Sequence, residues 1–526
     1  VTASPRSSLS LLRALGDVLA PTGFPYASNG RLFKDAEFGR DSLETAEDLL
    51  PLRPGVARAV ILRLAALQGT IDDVRTEEEP GKIHHEYRSL VMYGRPVAEE
   101  SARIFRELAR NWHLAETEEE LLTFPQLTQY GTVDASALFV RLAGRYCARH
   151  GTGILDETYI PRRPGTAAAR ATIRDSVRAA VRWTVAMIEA SDVGLLEWQR
   201  KTSWGHCFQA WKDGGTSYLH EDGTYANYNG PMASVEVQGL AYDALLAAVS
   251  LLAGDLPEEL ERYAALARRV QEQTLALLWM PDRDYFAMGL DRDPETGGVR
   301  QIRVLTSNPG ALLETGIFDS LPPEERNRYV LPVVERIVGE DFLTSVGIRC
   351  TSLAYRNLLP YPAYQSSYTV WHKETFDVAK GLRRQGFPLL ADEVERRLLN
   401  VIDLAGPREF IYVLPDGRFG PIRGATGRET VVLRSTNIPE NEQAWTIAAG
   451  LAVKWRLGRR VQAGPASPPP PLERDLLART GTTALFRTVA EVEHARNIGY
   501  VCDVHTTEGC EAEGEWVREH ALSSEP

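Results

Sequence analysis

The 526-residue chain is poor in cysteine, and the five it has are not arranged for chemistry. Cys147, Cys207, Cys350, Cys502 and Cys510 form no CxxC pair and leave one over on pairing. That pattern argues against a disulfide framework and for free thiols in a reducing compartment. Long apolar runs are missing as well. A spanning helix needs roughly 18 to 20 apolar residues, and Ala244–Ala253, the longest candidate, is interrupted by Ser250. Positive charge is in deficit: 59 Lys and Arg face 71 Asp and Glu, for a net charge of −12. Phosphate backbones and anionic membranes demand a basic face, so neither nucleic acid nor membrane is an expected partner. The chain has no GxGxxG turn and no GxxxxGK[ST] loop, and no cofactor is expected. GKIHHEYR at 81–88 is not HExxH, and Cys502, His505 and Cys510 match no zinc spacing, so no metal is expected either. The N-terminal segment lacks the charged-then-apolar order of a secretion signal, which makes the cytoplasm the expected location.

What is present is an ordinary globular composition, 44% hydrophobic and 25% charged. Most of it reads as helix. Val56, Val60, Leu64 and Leu67 recur at the three-to-four spacing of one helical face, and Gly69 follows where a helix stops. The same spacing appears at Ile173, Val177 and Val181, at Tyr242, Leu245, Val249 and Leu252, and at Leu390, Val394, Leu398 and Val401. About a dozen such segments are expected, starting near residues 7, 42, 56, 97, 134, 168, 232, 257, 323, 367, 388 and 440. Strand alternation is scarce: Tyr285–Leu290 is expected to pair with Val299–Leu305, and Glu409–Leu414 to form another strand. The expected class is therefore all-α, residues 1–463 forming one helical domain. GPASPPPP at 464–471 reads as extended linker, and 464–526 as a Pro-rich linker with a small C-terminal extension.

Long connections separate the helices, among them Gly23–Asp41, Glu77–Arg95, Leu195–Pro231, Thr344–Tyr368 and Pro407–Pro439. Loops beyond about 12 to 15 residues in a compact domain are usually functional or disordered. These are dense in Trp and Tyr, which favours function, with a helical scaffold carrying a site at one rim. Carboxylates beside aromatics suit carbohydrate chemistry, because aromatic faces stack on sugar rings and paired carboxyl groups cleave the glycosidic bond. In WGHCFQAWKD at 204–213, a carboxyl at Asp213 beside Trp211 would be desolvated and kept protonated toward neutral pH, with Lys212 opposing.

Eight stretches in order resemble one family: FGRDSLETA (38–46), PGKIHHEYR (80–88), YGTVDASALFV (130–140), QAWKDG (209–214), VEVQGLAYDA (235–244), SNPGALLETGI (307–317), VWHKE (370–374) and NEQAWTIAAG (441–450). The resemblance, over residues 20 to 457, is to the amylo-α-1,6-glucosidase type of glycogen-debranching enzyme within the (α/α)6-barrel glycoside hydrolases. It implies six inner and six outer helices, a site at one rim, and hydrolysis with inversion. In that mechanism one carboxylic acid protonates the leaving oxygen while a carboxylate roughly 6.5–9.5 Å away activates water. By motif Asp213 falls on the general acid. The general base falls on Glu409 in PREF (407–410), with Glu429 and Glu442 as alternatives. Arg40, Asp41, His85, Glu86, Trp211, Lys212, Glu236, Gln238, Trp371, His372 and Trp445 are the candidates for binding substrate.

The chain departs from the family pattern in places. Gly214 stands for the serine usual after WKD, Gln365–Tyr368 follows YPAY (361–364) where a histidine is usual, and no β-rich domain precedes the barrel in this sequence. The leading expectation is an exo-acting α-glucosidase releasing glucose from α-1,6-branched or short α-glucans. The alternative is a hydrolase of a small glycoside such as glucosylglycerate or mannosylglycerate. An inverting phosphorylase and a non-catalytic sugar-binding helical protein are the remaining readings.

Overall fold

The computed structural model describes residues 8–463 apart from 31, 115–116, 124–125, 162–169, 255–256, 359–362, 414, 416, 418 and 421–438, together with 473, 474 and 476. Glu429, the three residues Cys502, His505 and Cys510, and nearly all of 464–526 lie outside the described residues.

Six helices close into an inner ring: α2 (Gly39–Leu49), α6 (Ala135–His150), α8 (Val235–Leu251), α10 (Asn308–Leu312), α12 (His372–Arg384) and α14 (Ala444–Ala463). Each packs against the next, and α14 returns to α2. Six more sit outside, each against an inner partner: α1 (Ser8–Val18) on α14, α3 (Pro54–Leu67) on α2, α7 (Ile173–Ala190) on α6, α9 (Pro257–Leu277) on α8, α11 (Pro323–Ile337) on α10 and α13 (Pro388–Ala405) on α12. The fold is an all-α (α/α)6 barrel. Two further helices, α4 (Glu99–Asn111) and α5 (Glu118–Thr123), belong to an insertion between outer helix α3 and inner helix α6.

The expected dozen needs two corrections, which cancel in the count. The segment near 97 is α4 and lies outside the barrel, while the fourth inner helix, α10, spans five residues and carries no readable periodicity. A Cβ on Gly310 would stand 2.8 Å from Val378 Cγ2 of α12 and 3.2 Å from Ile337 Cδ1 of α11, so the chain passes there at close approach.

Small antiparallel sheets lead into several inner helices. In the first, β1 (Ala36–Phe38), β2 (Glu86–Ser89) and β3 (Gln126–Gln129) pair with Phe38 opposite Glu86 and Glu86 opposite Gln129. β4 (Ala233–Ser234) enters α8 and pairs with β5 (Gly289–Arg292), which pairs with β6 (Val299–Ile302). The expected hairpin is thus real but shifted, since Tyr285–Phe286 pairs instead with Trp279–Met280. β7 (Thr369–Trp371) enters α12 and pairs with β8 (Phe410–Val413), which pairs with β9 (Phe419–Gly420). Trp371 lies opposite Phe410, which sets Glu409 beside the start of α12.

The inner ring is not a simple apolar core. In α2, GRDSLETAEDL, all but one residue is buried. Its charges pair across the barrel: Glu47 with Arg141, whose guanidinium also meets Glu314 at 2.7 Å, Glu44 with Lys373 at 2.9 Å, and Asp48 with Lys380 at 2.7 Å. Burial nonetheless raises Asp48 to about 6 and Glu44 to about 8, and raises Glu374 to about 7. The folded chain therefore holds protons that an unfolded chain, with carboxyls near about 4, has released. That contribution to stability is complete at low pH and is lost as pH rises through these values. Buried His84, lowered to about 3, acts in the opposite sense, but only below its unfolded value of about 6.5. Between pH 6.5 and 8 the carboxyls dominate, and stability should fall by about 1.4 kcal/mol per pH unit for each retained proton. Urea unfolding across that range checks this; a constant or rising midpoint contradicts it.

Candidate active site

The first turns of the inner helices gather at one rim. Arg40 in α2 binds Asp134 at the start of α6 (Nε to Oδ2, 2.7 Å), and Asn308 in α10 donates to Glu236 of α8 at 2.9 Å. Trp371 before α12 meets Trp445 of α14 with ring centroids 5.9 Å apart, and Gln443 before α14 donates to Asp41 at 3.4 Å. The helix N-termini therefore point their partial positive charge at a shared region where carboxylates cluster.

A cavity of about 340 Å³ opens there. One part of its wall is aromatic. Trp211, Trp371, Tyr364 and Trp445 line it, Trp371 stacking on Phe410 at 5.0 Å and meeting Trp211 edge-on at 5.5 Å. Arg40, Asp41, His85, Glu86, Asp213 and Glu409 also line it. Leu32, Phe33, Arg88 and His206 line it as well, with Ile104 and Leu108 of the inserted α4.

Asp213 and Glu409 reach this one cavity from distant parts of the chain. Asp213 Oδ2 accepts from Arg40 Nη1 at 3.1 Å, and its Oδ1 has no hydrogen bond among the described residues. Burial raises the Asp213 carboxyl above its ordinary value, with the Arg40 guanidinium opposing and winning only part of the difference. Lys212, expected to be the opposing charge, points away. Glu409 accepts at both oxygens, from the Tyr364 hydroxyl at Oε1 and from the Glu440 backbone N–H at Oε2, 3.1 Å. Both bonds favour the ionised form, yet burial outweighs them and pushes the carboxyl to about 8. Asp41 is raised to about 7, again chiefly by burial.

Four of the sequence candidates lie off the cavity wall. Lys212 Nζ is buried and donates to Ser307 Oγ, Asn308 Oδ1 and the Cys350 carbonyl at 2.7–2.9 Å, tying the Asp213 loop to the start of α10. Glu236 accepts from Ser234 and Asn308. Gln238 exchanges bonds with the Leu196 backbone at 2.9 and 3.0 Å. The His372 ring, lowered to about 4 by burial, meets the Glu409 carbonyl at 3.4 Å. Of the alternative bases, Glu442 is off the cavity and accepts from Asn29 at 3.3 Å.

Arg88, His206 and Tyr364 line the cavity without having been nominated, although each stands inside a stretch singled out above. Arg88 Nη1, His85 Nδ1, His206 Nε2, Trp211 Nε1 and Trp445 Nε1 are buried with no hydrogen-bond partner among the described residues. Buried polar groups without partners are costly, and these five belong to residues of the cavity lining.

No family model matches the chain, and neither does any curated protein. Solved structures do resemble it. The GH63 mannosylglycerate hydrolase from Thermus thermophilus in complex with glucose is 15% identical, with a TM-score of 0.53 over 85% of this chain and 99% of that one. The same hydrolase in complex with Tris and D-glycerate is 14% identical, with a TM-score of 0.51 over 84% and 98%. A wild-type glycosidase is 12% identical, with a TM-score of 0.50 over 85% and 94%. At these identities the likeness establishes the fold.

Proposed function

We propose that the protein is an inverting glycoside hydrolase that releases a hexose from a small glycoside with an anionic aglycone, glucosylglycerate and mannosylglycerate being the candidates. The observation that carries this reading is the placing of Asp213 and Glu409 on the wall of one aromatic-lined cavity. Its volume of about 340 Å³ is at the small end of ligand pockets, which run from roughly 300 to 1,000 Å³. Arg88 Nη1, buried and unpaired among the described residues, suits an aglycone carboxylate. The solved mannosylglycerate hydrolase, bound to glucose or to D-glycerate, favours the same substrate class over α-1,6-branched glucan.

In this reading Asp213 gives its proton to the glycosidic oxygen as the bond to the anomeric carbon breaks. Glu409 takes a proton from a water whose oxygen bonds to that carbon from the other face. Proton exchange with solvent then restores both groups. The aromatic wall orients the sugar, and the unpaired donors take its hydroxyls.

The test is hexose release from glucosylglycerate, mannosylglycerate and isomaltosyl-branched dextrin, with and without inorganic phosphate. Release from a small anionic glycoside alone, independent of phosphate, is expected. Release from dextrin alone restores the debranching expectation, and phosphate-dependent formation of sugar 1-phosphate makes the protein a phosphorylase.

A further inference from the structure

Asp213 and Glu409 share few direct supports, yet one dipeptide touches the surroundings of both. The Tyr364 hydroxyl donates to Glu409 Oε1. Its ring is held edge-on against Trp371 at 4.8 Å and Phe410 at 5.4 Å, and its carbonyl accepts from Trp371 Nε1 at 3.2 Å. The next residue faces the other way. Gln365 is 1% exposed; its Oε1 accepts from the Gly214 backbone N–H at 3.0 Å and from the Ser217 hydroxyl. Its Nε2 donates to the Trp211 carbonyl at 3.2 Å. Gln365 thus grips the backbone on both sides of Asp213.

The fit leaves no slack. A Cβ on Gly214 would come within 2.9 Å of Gln365 Oε1 and 3.1 Å of Tyr364 Cδ1. Two departures from the family pattern, Gly214 and the Gln365 stretch, therefore meet at one contact, each requiring the other's shape. The dipeptide is itself anchored: Ser366 N donates to Thr369 Oγ1 at 2.9 Å, and Thr369 begins β7, which pairs with the strand following Glu409.

We infer that Tyr364 and Gln365 form a spacer that sets the distance and orientation between the Asp213 and Glu409 carboxyl groups. This rests on the hydrolase reading above. Inversion needs room for one water between base and anomeric carbon, so the separation of the two carboxyls is the quantity a spacer must hold. Tyr364 has a second effect, because its hydroxyl favours ionised Glu409 against the neighbouring charges of Asp41 and Glu440. Both are positioning residues.

The test uses Tyr364→Phe and Gln365→Ala in the full chain, each checked for folding by melting temperature. Tyr364→Phe removes one hydroxyl from an intact ring. It should lower kcat about tenfold with KM little changed, and move the alkaline limb of the pH profile, which belongs to Glu409, upward by roughly half a unit or more. Gln365→Ala frees the Asp213 loop, and a misplacement near 1 Å should lower kcat by roughly 100-fold. Gly214→Ala should cost activity in the parent and less in the Gln365→Ala background, since the nearest of the groups its Cβ meets is gone while Ser217 Oγ at 3.0 Å and Tyr364 Cδ1 at 3.1 Å remain. Crystal structures of Gln365→Ala and the parent supply a readout that needs no turnover: a displaced Asp213 carboxyl supports the inference. An unmoved carboxyl, or an active parent whose Tyr364→Phe variant keeps both kcat and the alkaline limb, overturns it. An inactive parent with a displaced carboxyl instead overturns the hydrolase reading while leaving the spacer in place.

Discussion

Asp213→Asn is expected to reduce turnover of the glycoside substrate by about 10³-fold, near 4 kcal/mol of transition-state stabilisation, while substrate binding and fold survive. Asn keeps the shape of the side chain and an oxygen for the Arg40 guanidinium, and Arg40 retains its bond to Asp134. The loss is confined to the transferable proton. The defect should therefore shrink for a nitrophenyl glycoside, whose leaving group departs with little protonation. Rate measurements on both substrates check this. Equal losses on the two would assign Asp213 to holding the sugar instead of protonating the leaving oxygen.

Glu409→Ala should be at least as damaging, and its signature is different. Without the carboxylate, water is not activated; an added small anion such as azide can occupy the space and attack the anomeric carbon itself. Azide should restore part of the rate in Glu409→Ala, giving a glycosyl azide of inverted configuration, and should do nothing for Asp213→Asn. Rescue in the Asp213 variant alone would exchange the two roles.

The pH profile carries the same assignment. The productive enzyme holds one proton between the pair, on Asp213 and not on Glu409. With Glu409 near about 8 and Asp213 raised above the ordinary carboxyl range, the one-proton state ends on the alkaline side near Glu409's value. Activity should fall as pH rises past about 8, and Glu409→Gln should move that limb to the pH at which Asp213 alone loses its proton.

The barrel and its rim were legible in the sequence to different depths. Long outer helices such as α7 and α13 announce themselves through an apolar face. α10 does not, because five residues hold little more than one turn, and its glycine is explained only by neighbours from α11 and α12. α4 is strongly amphipathic and reads like a barrel helix, but its apolar face covers the site instead. Asp213, Glu409 and seven of the eleven substrate-binding candidates came together on one cavity because short motifs fix their chemistry. Lys212, Glu236, Gln238 and His372 sat in equally suggestive motifs and proved to be tying loops to helix starts. The difference between lining a cavity and bracing it lies in side-chain direction, which spacing along a loop does not encode. Tyr364 and Gln365 were visible only as departures from a pattern, since their partners are 45 and 151 residues away.

Proton NMR of the first-formed hexose, recorded within the opening minutes of hydrolysis before mutarotation, examines the opposed-carboxyl geometry directly. An α-glycoside should yield the β-anomer first, as displacement by water held at Glu409 requires. Initial appearance of the α-anomer would mean a covalent glycosyl intermediate and would contradict the account.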